Sequence, residues 1–576
     1  MTATLDRPAV QEETDEWRGR LQPLVHGAGG WGVTLLVTVI AGLLRFLRLD
    51  QPATTLTDKG VVEGPADIFD EVYYACDGWS LVNHGVEKAT QSGAPFCTLT
   101  DAPAFVVHPP LGKWLIGIGE KMFGFDTFGW RFAAAVFGTL TVLMVVRAGR
   151  RMTGSTLLGG LAGLLLALDG LHFVQSRVAM LDVFLVFWVV AAFAALLVDR
   201  DHLRARLAAD LPPGWRPWRL LAGVCAGAAV ATKWSALFPV AVLVLLALLW
   251  ETSARRTARI REPWPWRFPA SLLVGLAGVQ LLDLPGAVDA VLLVALVSVG
   301  VGWELWARRT AGQELGWARA FVRLGVPFAL AFAVLPTVVY VASWAGWFAS
   351  EDGWSRTWAQ GRSTEAPFLP DAAVEAVPYD DDLRSLWHYH SEMYRFHSTL
   401  DASHPYQSHP LSWPFLGRPV SYYYPPGITE GRYGCEVDSC SREVLAIGTP
   451  ALWWAMVPAC IGLAARWASR RDWRAAALLA MTAVSILAWI PSALDDRTMF
   501  LFYALPSVPF LCLGLALLAG WVIGPPGARR RSWGAGAVGV YTSLVVANFA
   551  LLYPVLAAVT IPYDDWRWRM WFSSWI

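Results

Sequence analysis

The stretch "GWGVTLLVTVIAGLLRF", residues 30–46, is an apolar run that is long enough to cross a bilayer as a helix. Residues 1–29 before it are polar and mixed in charge, and no small-residue cleavage site follows it. These flanks indicate a retained membrane span rather than a signal peptide that is removed. Comparable apolar runs recur along the chain at 129–147, 155–173, 181–198, 219–233, 235–250, 268–283, 286–306, 324–346, 449–466, 475–493, 498–522 and 534–557.

The composition agrees with many membrane spans, because 55% of the 576 residues are hydrophobic and only 16% are charged. Backbone polar groups cannot bond to water inside a bilayer, which favours helices over open sheets. We therefore predict an all-α polytopic membrane protein with about 11–13 transmembrane helices. The formal net charge is zero, so we expect no electrostatic attraction to nucleic acid.

Arginine clusters occupy alternate connections between the runs. Cytoplasmic loops of membrane proteins carry an excess of Arg and Lys, so these connections are expected to lie inside. The N-terminus is then cytoplasmic and the C-terminus is outside, which requires an odd number of spans. The clusters are "RAGRRM" (147–152), "DRDHLRARL" (199–207), "ARRTARIR" (254–261), "ARRTAGQELGWAR" (307–319), "ARWASRRDWR" (465–474) and "ARRR" (528–531).

This orientation divides the chain into parts that face different compartments. Residues 1–29 form a cytoplasmic tail, and residues 30–346 form a transmembrane module whose first outer loop, 47–128, carries the candidate chemistry. Residues 347–448 form an extracytoplasmic loop, and residues 449–576 form a C-terminal transmembrane module. We expect a multi-pass cell-membrane protein with its site on the extracytoplasmic face.

Cysteines support the outward placement of the two long segments. Four of the seven cysteines, Cys76, Cys97, Cys435 and Cys440, fall in these segments. Two local pairs, Cys76 with Cys97 and Cys435 with Cys440, are natural candidates for disulfides in an oxidising compartment. Spacing alone does not fix the connectivity.

Two adjacent carboxylates stand among aromatic and aliphatic side chains in "PADIFDEVYYACDGW", residues 65–79. Burying a carboxylate costs several kcal/mol unless it is paired or protonated, so Asp70 and Glu71 need an explanation. One interpretation is structural, with one carboxylate capping a helix and the other solvated. The other is a general base whose pKa is raised by its apolar surroundings.

Cations collect at the predicted outer ends of four spans. Arg131 opens the second span, Arg177 lies in a short outer turn, Lys233 lies between two short spans, and Arg497 starts a later span. A single cation at a helix end is ordinarily explained by a side chain that reaches for lipid headgroups. Four of them near an acidic outer loop fit the binding of a lipid-linked phosphate, to which Arg can donate two hydrogen bonds.

A third cluster is the histidine-rich stretch "WHYHSEMYRFHSTLDASHPYQSHPLSWPF", residues 387–415. Its spacing matches no common zinc pattern, and Pro405 and Pro410 directly follow two of the histidines. We therefore favour an outer loop that contacts carbohydrate or peptide, and we predict neither a metal site nor a required cofactor. A divalent ion held by Asp70, Glu71, Asp169 and Asp182 remains the alternative.

Six motifs together resemble the protein O-mannosyltransferases, which are membrane glycosyltransferases of the GT-C class. They are "IFDEVYYA", "HPPLGKWLIG", "DGLHFVQSRVAMLD", "TKWSALFP", "SHPYQSHPLSWP" and "RTMFLFYALP", and the similarity is greatest to the actinobacterial branch. By position, Asp70 and Glu71 match the acidic pair of the family and Arg131 matches its arginine in the second span. The substrate-loop motifs contribute His108, Lys113, His404, Pro405, Tyr406, Ser408, Trp413 and Pro414.

The resemblance implies transfer of mannose from polyprenyl-phosphate mannose to Ser or Thr hydroxyls of exported proteins, with the membrane lipid and possible export machinery as partners. A hydroxyl needs a base to take its proton, whereas a phosphate leaves as an anion and needs cations. We expect inversion at the anomeric carbon, with Asp70 or Glu71 as the base and Arg131, Arg177, Lys233 and Arg497 as phosphate ligands.

Two other functions stay open at this point. A GT-C enzyme could act on a lipid or polysaccharide acceptor, since the sequence does not show the acceptor. A transporter or flippase would place ionisable residues at mid-span and show repeated halves, but here most span charges lie near outer ends and no repeat is visible. The chain also has no inserted β-trefoil domain, unlike fungal members of the family.

Overall fold

The computed structural model describes residues 28–53, 55–57, 60–62, 68–258, 325–360 and 381–576. Helices dominate these residues. The helices of the first half are α1 Ala28–Phe46, α2 Glu71–His84, α3 Leu111–Phe123, α4 Thr127–Thr153, α5 Thr156–Ala167, α6 Gly170–Gln175, α7 Asp182–Ala208, α8 Pro217–Val230 and α9 Leu237–Thr257. Those of the second half are α10 Val326–Ser343, α11 Ala345–Ala349, α12 Asp381–Ser398, α13 Pro450–Trp453, α14 Met456–Arg470, α15 Trp473–Leu487, α16 Ile490–Leu494, α17 Val508–Ile523, α18 Arg531–Leu556 and α19 Tyr563–Arg569.

Eight helical segments among the described residues are long and apolar enough to cross a membrane, and three shorter apolar helices accompany them. Each coincides with a predicted apolar run, which confirms the prediction of a polytopic helical membrane protein. The predicted runs at 268–283 and 286–306 lie outside the described residues. The long segments are Thr127–Thr153, Asp182–Ala208, Trp234–Arg255, Val326–Ser343, Pro450–Arg470, Trp473–Leu494, Leu501–Ile523 and Arg531–Leu556.

Short antiparallel strand pairs lie in the two outer segments. Strand β1 (Thr55–Thr57) pairs with β2 (Gly60–Val62), and β3 (Lys88–Thr90) pairs with β4 (Leu99–Pro103). In the second outer segment, the pairs are β5 (Val420–Tyr423) with β7 (Val444–Ala446) and β6 (Cys440–Ser441) with β8 (Ile561–Pro562). Because β8 follows α18, the last pair fastens the C-terminal region to the outer loop.

The spans differ in how far they are buried. In Leu501–Ile523, 83% of the apolar window is buried inside the protein, against 17% in Arg531–Leu556. Leu501–Ile523 therefore lies at the centre of the helical bundle, where it packs on α5 and α15. Arg531–Leu556 lies at the edge, with most of its apolar surface available to lipid.

The outer helices α2 and α3 pack closely because glycines face each other. A Cβ atom added at Gly117 would lie 2.3 Å from the carbonyl oxygen of Gly78, a distance that real Cβ atoms do not tolerate. Only residues without a side chain allow this approach of the two backbones. Disulfide bonds join Cys76 to Cys97 and Cys435 to Cys440, with Cα separations of 5.4 and 6.0 Å.

Candidate active site

Glu71 and Arg131 form a buried ion pair at the start of α2. The Arg131 Nη2 atom donates to Glu71 Oε1 at 2.6 Å, and its Nε atom lies 3.0 Å from both carboxylate oxygens. The backbone N–H of Ala179 donates to Glu71 Oε2 at 2.7 Å. Glu71 is 2% exposed and Arg131 is fully buried, so this pair holds α2 against α4 and the turn before α7.

Asp70 stands one residue before α2 and has different surroundings. Its side chain is partly exposed, and it accepts a hydrogen bond from the Tyr74 side chain. Burial raises the pKa of Asp70 from 3.8 to about 6, while Lys233 lowers it and Asp182 raises it. Asp70 is therefore a carboxylate that a substrate can reach and that can take up a proton near neutral pH.

Lys233 supplies a positive charge that acts on Asp70. Its Nζ atom bonds to both carboxylate oxygens of Asp182 at 3.0 and 3.1 Å, and it lies 5.2 Å from the centre of the Tyr503 ring. An ammonium has three N–H groups, so these two bonds leave one for a ligand. We use the name Asp70 cluster for Asp70, Tyr74, Asp182, Lys233 and Tyr503.

Arg497 lies beside the Asp70 cluster. Its Nε atom donates to the carbonyl oxygen of His397 at 3.0 Å, and its guanidinium lies 5.2 Å from the ring of Trp489. The positive charge of Arg497 also acts on Tyr503. Arg497 is partly exposed, and its guanidinium has N–H groups besides Nε that can donate to an anion.

Arg177 has a different set of partners from the other predicted phosphate ligands. Its guanidinium donates to the backbone carbonyl oxygens of Leu44, Arg45, Leu47 and Arg48 at 2.7–3.2 Å. Two of these carbonyls belong to the last turn of α1 and two lie in the turn directly after it, where a helix cannot satisfy its own carbonyls. The bonds engage both Nη atoms of Arg177 and hold its guanidinium at the end of α1.

His108 and Lys113, the two predicted substrate-loop residues in "HPPLGKW", have different neighbours. The Lys113 Nζ atom is buried and donates to Glu87 Oε1 at 2.5 Å, with Asp77 at 3.7 Å. His108 faces the Asp70 cluster, because its ring lies 6.3 Å from that of Tyr74, the residue that bonds to Asp70. Of the two, His108 is the one that lies beside the candidate base.

The outer-loop motif packs around the residue that precedes Asp70. Phe69 has a positive φ of 43°, a conformation that non-glycine residues seldom adopt. An aromatic cage holds it there, with ring centres 5.0 Å from Tyr422, 5.9 Å from His404 and 5.6 Å from Phe500. His404 therefore contributes to the position of the Asp70 backbone.

The other residues of the motif hold the loop together. The Trp413 Nε1 atom donates to Ser408 Oγ at 2.9 Å, and the Trp413 side chain is fully buried. The ring of Tyr406 lies 5.2 Å from the guanidinium of Arg418. Trp413 also contacts the Asp70 cluster, because its ring lies 6.4 Å from the ring of Tyr503.

Sequence reasoning groups Asp182 with Asp70 only as an alternative metal ligand, and it identifies neither the pairing of Asp182 with Lys233 nor Tyr503 as a neighbour of Asp70. The available signal for Asp182 is its place at the outer start of one span, opposite the positive Lys233 at the outer end of another. Charges of opposite sign at the same membrane depth tend to pair. Within the described ranges, no group of three or more His, Cys, Asp or Glu residues could hold a metal ion, and metal independence stays a prediction.

The chemistry that this arrangement allows is proton removal beside an anionic leaving group. Asp70 can accept a proton from a hydroxyl, and Lys233 and Arg497 can bind an anion. Glu71 cannot act as freely, because its oxygens are already bonded to Arg131 and Ala179. The acidic pair thus divides into an accessible carboxylate and a buried one.

Family models match two parts of the chain. Residues 68–283 match the family described as dolichyl-phosphate-mannose–protein mannosyltransferase. Residues 382–575 match the C-terminal four-transmembrane region of protein O-mannosyltransferase. The first match contains Asp70, Arg131, Asp182 and Lys233, and the second contains Arg497.

Curated relatives match almost the whole chain. The polyprenol-phosphate-mannose–protein mannosyltransferase of Mycobacterium tuberculosis is 38% identical over 570 residues, which is 95% of this chain and 92% of the relative. The protein of the same name from Corynebacterium glutamicum is 30% identical, over 94% of this chain and 92% of the relative. The similarity thus extends over both transmembrane modules and both outer segments.

A solved structure has the same fold. The Saccharomyces cerevisiae protein O-mannosyltransferase complex bound to the sugar donor superposes with a TM-score of 0.64. The match covers 97% of this chain and 94% of the yeast chain at 14% identity. At this identity the match concerns the fold alone, and it confirms the prediction of a GT-C-like architecture.

Proposed function

The chain belongs to the protein O-mannosyltransferase family, and from that premise we propose that it transfers mannose from polyprenyl-phosphate mannose to Ser or Thr hydroxyls of exported proteins. The donor and the protein acceptor are the ones that the names of its bacterial relatives state. The observation that carries the mechanism is the contrast between Asp70, partly exposed beside Lys233, and Glu71, buried against Arg131.

Asp70 acts as the general base in this proposal. It takes the proton from the acceptor hydroxyl while the hydroxyl oxygen forms a bond to the anomeric carbon of mannose. The bond between that carbon and the phosphate oxygen breaks at the same time, and polyprenyl phosphate leaves as an anion. Attack from the face opposite the phosphate inverts the anomeric configuration. A positioned base of this kind contributes about 10²–10⁴ in rate.

Lys233 and Arg497 bind the donor phosphate. Both are cations at the outer ends of spans, which is the depth at which the phosphate of a membrane lipid lies. The Asp182 carboxylate holds the Lys233 ammonium through two bonds and thereby keeps one N–H directed elsewhere. Positive charge at a leaving phosphate stabilises the charge that develops in the transition state.

The active site faces the extracytoplasmic side, where exported proteins become accessible. The support is the alternation of Arg-rich connections, which places the loop with Asp70 outside, and the two disulfides in the outer segments. The N-terminus is then cytoplasmic and the C-terminus is outside. Acceptors that emerge from the export machinery would meet the site on this face.

The test is transfer of labelled mannose from polyprenyl-phosphate mannose in membranes that contain the wild-type protein. Three acceptors are offered separately: a Thr-rich peptide, the same peptide with Thr and Ser replaced by Val and Ala, and a lipid or glycan fraction. The proposal predicts label on the Thr-rich peptide alone, attached with inverted configuration. Label on only the lipid or glycan fraction, or retention of configuration, would overturn it.

A further inference from the structure

Two imidazoles lie stacked beside the Asp70 cluster, one from each outer segment. The rings of His108 and His397 are 5.0 Å apart with an angle of 22° between their planes. His397 lies in α12, and its Nε2 atom is 2.7 Å from the carbonyl oxygen of Val107, the residue before His108. The pair therefore joins the first outer loop to the second outer segment at the edge of the candidate site.

Each imidazole keeps one nitrogen that the described part of the chain does not satisfy. His108 Nδ1 and His397 Nδ1 are both buried and have no hydrogen-bond partner among the described residues. A buried polar atom without a partner costs about 1–3 kcal/mol, so a group that bonds to these two nitrogens would regain that free energy. His390, on the same helix, has both ring nitrogens bonded, to Tyr340 Oη and to the Leu386 carbonyl.

Whether His397 Nδ1 donates or accepts a hydrogen bond follows from the bond that the Nε2 atom of the same ring makes. The Val107 carbonyl can only accept, so His397 Nε2 carries the hydrogen. Burial lowers the pKa of His397 to about 4, and burial also lowers the pKa of His108 well below its usual value. Both rings are therefore neutral, and His397 Nδ1 offers a lone pair that accepts a hydrogen bond.

The position of the His108–His397 pair indicates which ligand group donates a hydrogen bond to it. The Arg497 Nε atom donates to the backbone carbonyl oxygen of His397 at 3.0 Å, and the charges of Lys233 and Arg497 act on both imidazoles. The pair thus lies on the side of the phosphate cations. A neutral acceptor cannot stabilise a phosphate oxygen, which also accepts, but it can bind a hydroxyl group of the sugar that the phosphate carries.

We infer that the His108–His397 pair binds a hydroxyl group of the donor sugar and so helps to select the sugar that is transferred. His397 Nδ1 accepts from that hydroxyl, and His108 Nδ1 bonds to the same or the neighbouring hydroxyl. This inference rests on the proposed function, because it assumes a glycosyl phosphate held by Lys233 and Arg497. It adds a source of sugar specificity that is independent of the base.

The experiment compares His397→Gln with His397→Asn in membranes that contain the full chain. A Gln amide can keep the N–H bond to Val107 but loses the acceptor at Nδ1, whereas an Asn amide can present its oxygen near the Nδ1 position. The donors are polyprenyl-phosphate mannose and its 2-, 3-, 4- and 6-deoxy analogues, and kcat/KM is measured with the Thr-rich peptide. Thermal midpoints identify any variant that fails to fold.

For wild type, we expect kcat/KM to fall about tenfold for one deoxy donor, which is the value of one hydrogen bond of about 1.4 kcal/mol. In His397→Gln, kcat/KM with unmodified polyprenyl-phosphate mannose should fall about tenfold. With that deoxy donor, kcat/KM of His397→Gln should equal that of wild type. His397→Asn should retain part of the discrimination. His390→Gln is the matched control and should leave the donor profile as it is in wild type.

Two results would overturn the inference. One is an equal loss for all five donors in His397→Gln, which indicates a structural role. The other is a wild-type donor profile in His397→Gln with full activity. Failure of the proposed function looks different, because wild type would then not label the peptide from unmodified polyprenyl-phosphate mannose at all.

Discussion

At the residue scale, the acidic pair shows that neighbours in sequence can have separate tasks. Glu71 stabilises the fold through its bonds to Arg131 and to the Ala179 backbone. Asp70 stays accessible, and the desolvation that raises its pKa also makes it a stronger base. The positive φ of Phe69, the residue before Asp70, is held by aromatic packing on Tyr422.

The pH dependence of transfer follows from Asp70. Only the carboxylate can take a proton, and burial raises the pKa of Asp70 to about 6. We expect kcat/KM to be constant above about pH 7 and to fall about tenfold per unit below about pH 6. Initial rates at low donor concentration between pH 4.5 and 8 measure this. An unperturbed carboxylate, with a rate that is constant down to pH 5, would contradict it.

The types of residue at the site could be predicted from the sequence, but the separate role of each residue could not. Two carboxylates in an apolar outer loop and cations at the outer ends of spans are local patterns. The bond between Arg131 and the Glu71 carboxylate depends on tertiary packing. So do the bonds from Arg177 to backbone carbonyls about 130 positions earlier in the chain. Asp182 is identified as the partner of Lys233 only when α7 and α9 are placed side by side.

At the element scale, the end of α1 depends on a side chain from elsewhere in the chain. The last carbonyls of a helix lack intrahelical donors, and the helix dipole gives this end a partial negative charge. The Arg177 guanidinium supplies both the donors and the opposite charge. It thereby ties α1 to the turn between α6 and α7.

Replacement of Arg177 should therefore affect stability more than donor binding. Arg177→Ala removes a side-chain donor from four carbonyls, of which the Arg48 carbonyl keeps its bond from the Gln51 N–H, and we expect a loss of about 3 kcal/mol in the free energy of unfolding. The measurement is the thermal midpoint together with the donor KM of the remaining folded protein. Arg395→Ala is the control, because that side chain is 72% exposed. A raised KM with an unchanged midpoint would instead identify Arg177 as a phosphate ligand.

The close approach of α2 and α3 at Gly78 and Gly117 positions the start of α2. Gly117→Ala puts a methyl group 2.3 Å from the Gly78 carbonyl, so the helices must separate. Since Asp70 directly precedes α2, we expect a lower midpoint and a lower kcat. Gly536→Ala, where a methyl group meets no atom within 4 Å, is the matched control and should change neither. Wild-type kcat in Gly117→Ala would show that α2 and the base tolerate the shift.

At the scale of the whole molecule, the architecture follows from hydropathy because a bilayer imposes it locally. Each apolar run must form its own backbone hydrogen bonds, so its identity as a span does not depend on distant packing. The eleven described apolar helices coincide with predicted runs for this reason. The short strand pairs in the outer segments were not predicted, because strands of two to five residues carry no clear alternation.

The orientation of the whole molecule can be tested by labelling. Glu430 is exposed in the second outer segment, and Arg529 is exposed in the Arg-rich connection between α17 and α18. A membrane-impermeant maleimide should label Glu430→Cys in intact cells and Arg529→Cys only after permeabilisation. The wild-type protein, whose free cysteines among the described residues lie in spans, controls for background. The reverse pattern would place the Asp70 cluster in the cytoplasm.

A comparison of Asp70→Asn with Glu71→Gln distinguishes the general base from the buried structural carboxylate. Both variants are assayed for mannose transfer and for thermal midpoint in the same membranes. Since burial raises the pKa of Asp70 in the folded state, its ionised form disfavours folding at pH 7, and Asp70→Asn should not lower the midpoint.

We expect Asp70→Asn to lose about 10²–10⁴ in kcat while its thermal midpoint stays or rises. We expect Glu71→Gln to lose about 3–5 kcal/mol of stability, because Arg131 is left as a buried charge without its counter-ion. The contradictory result is an active Asp70→Asn beside a Glu71→Gln that is folded normally and inactive.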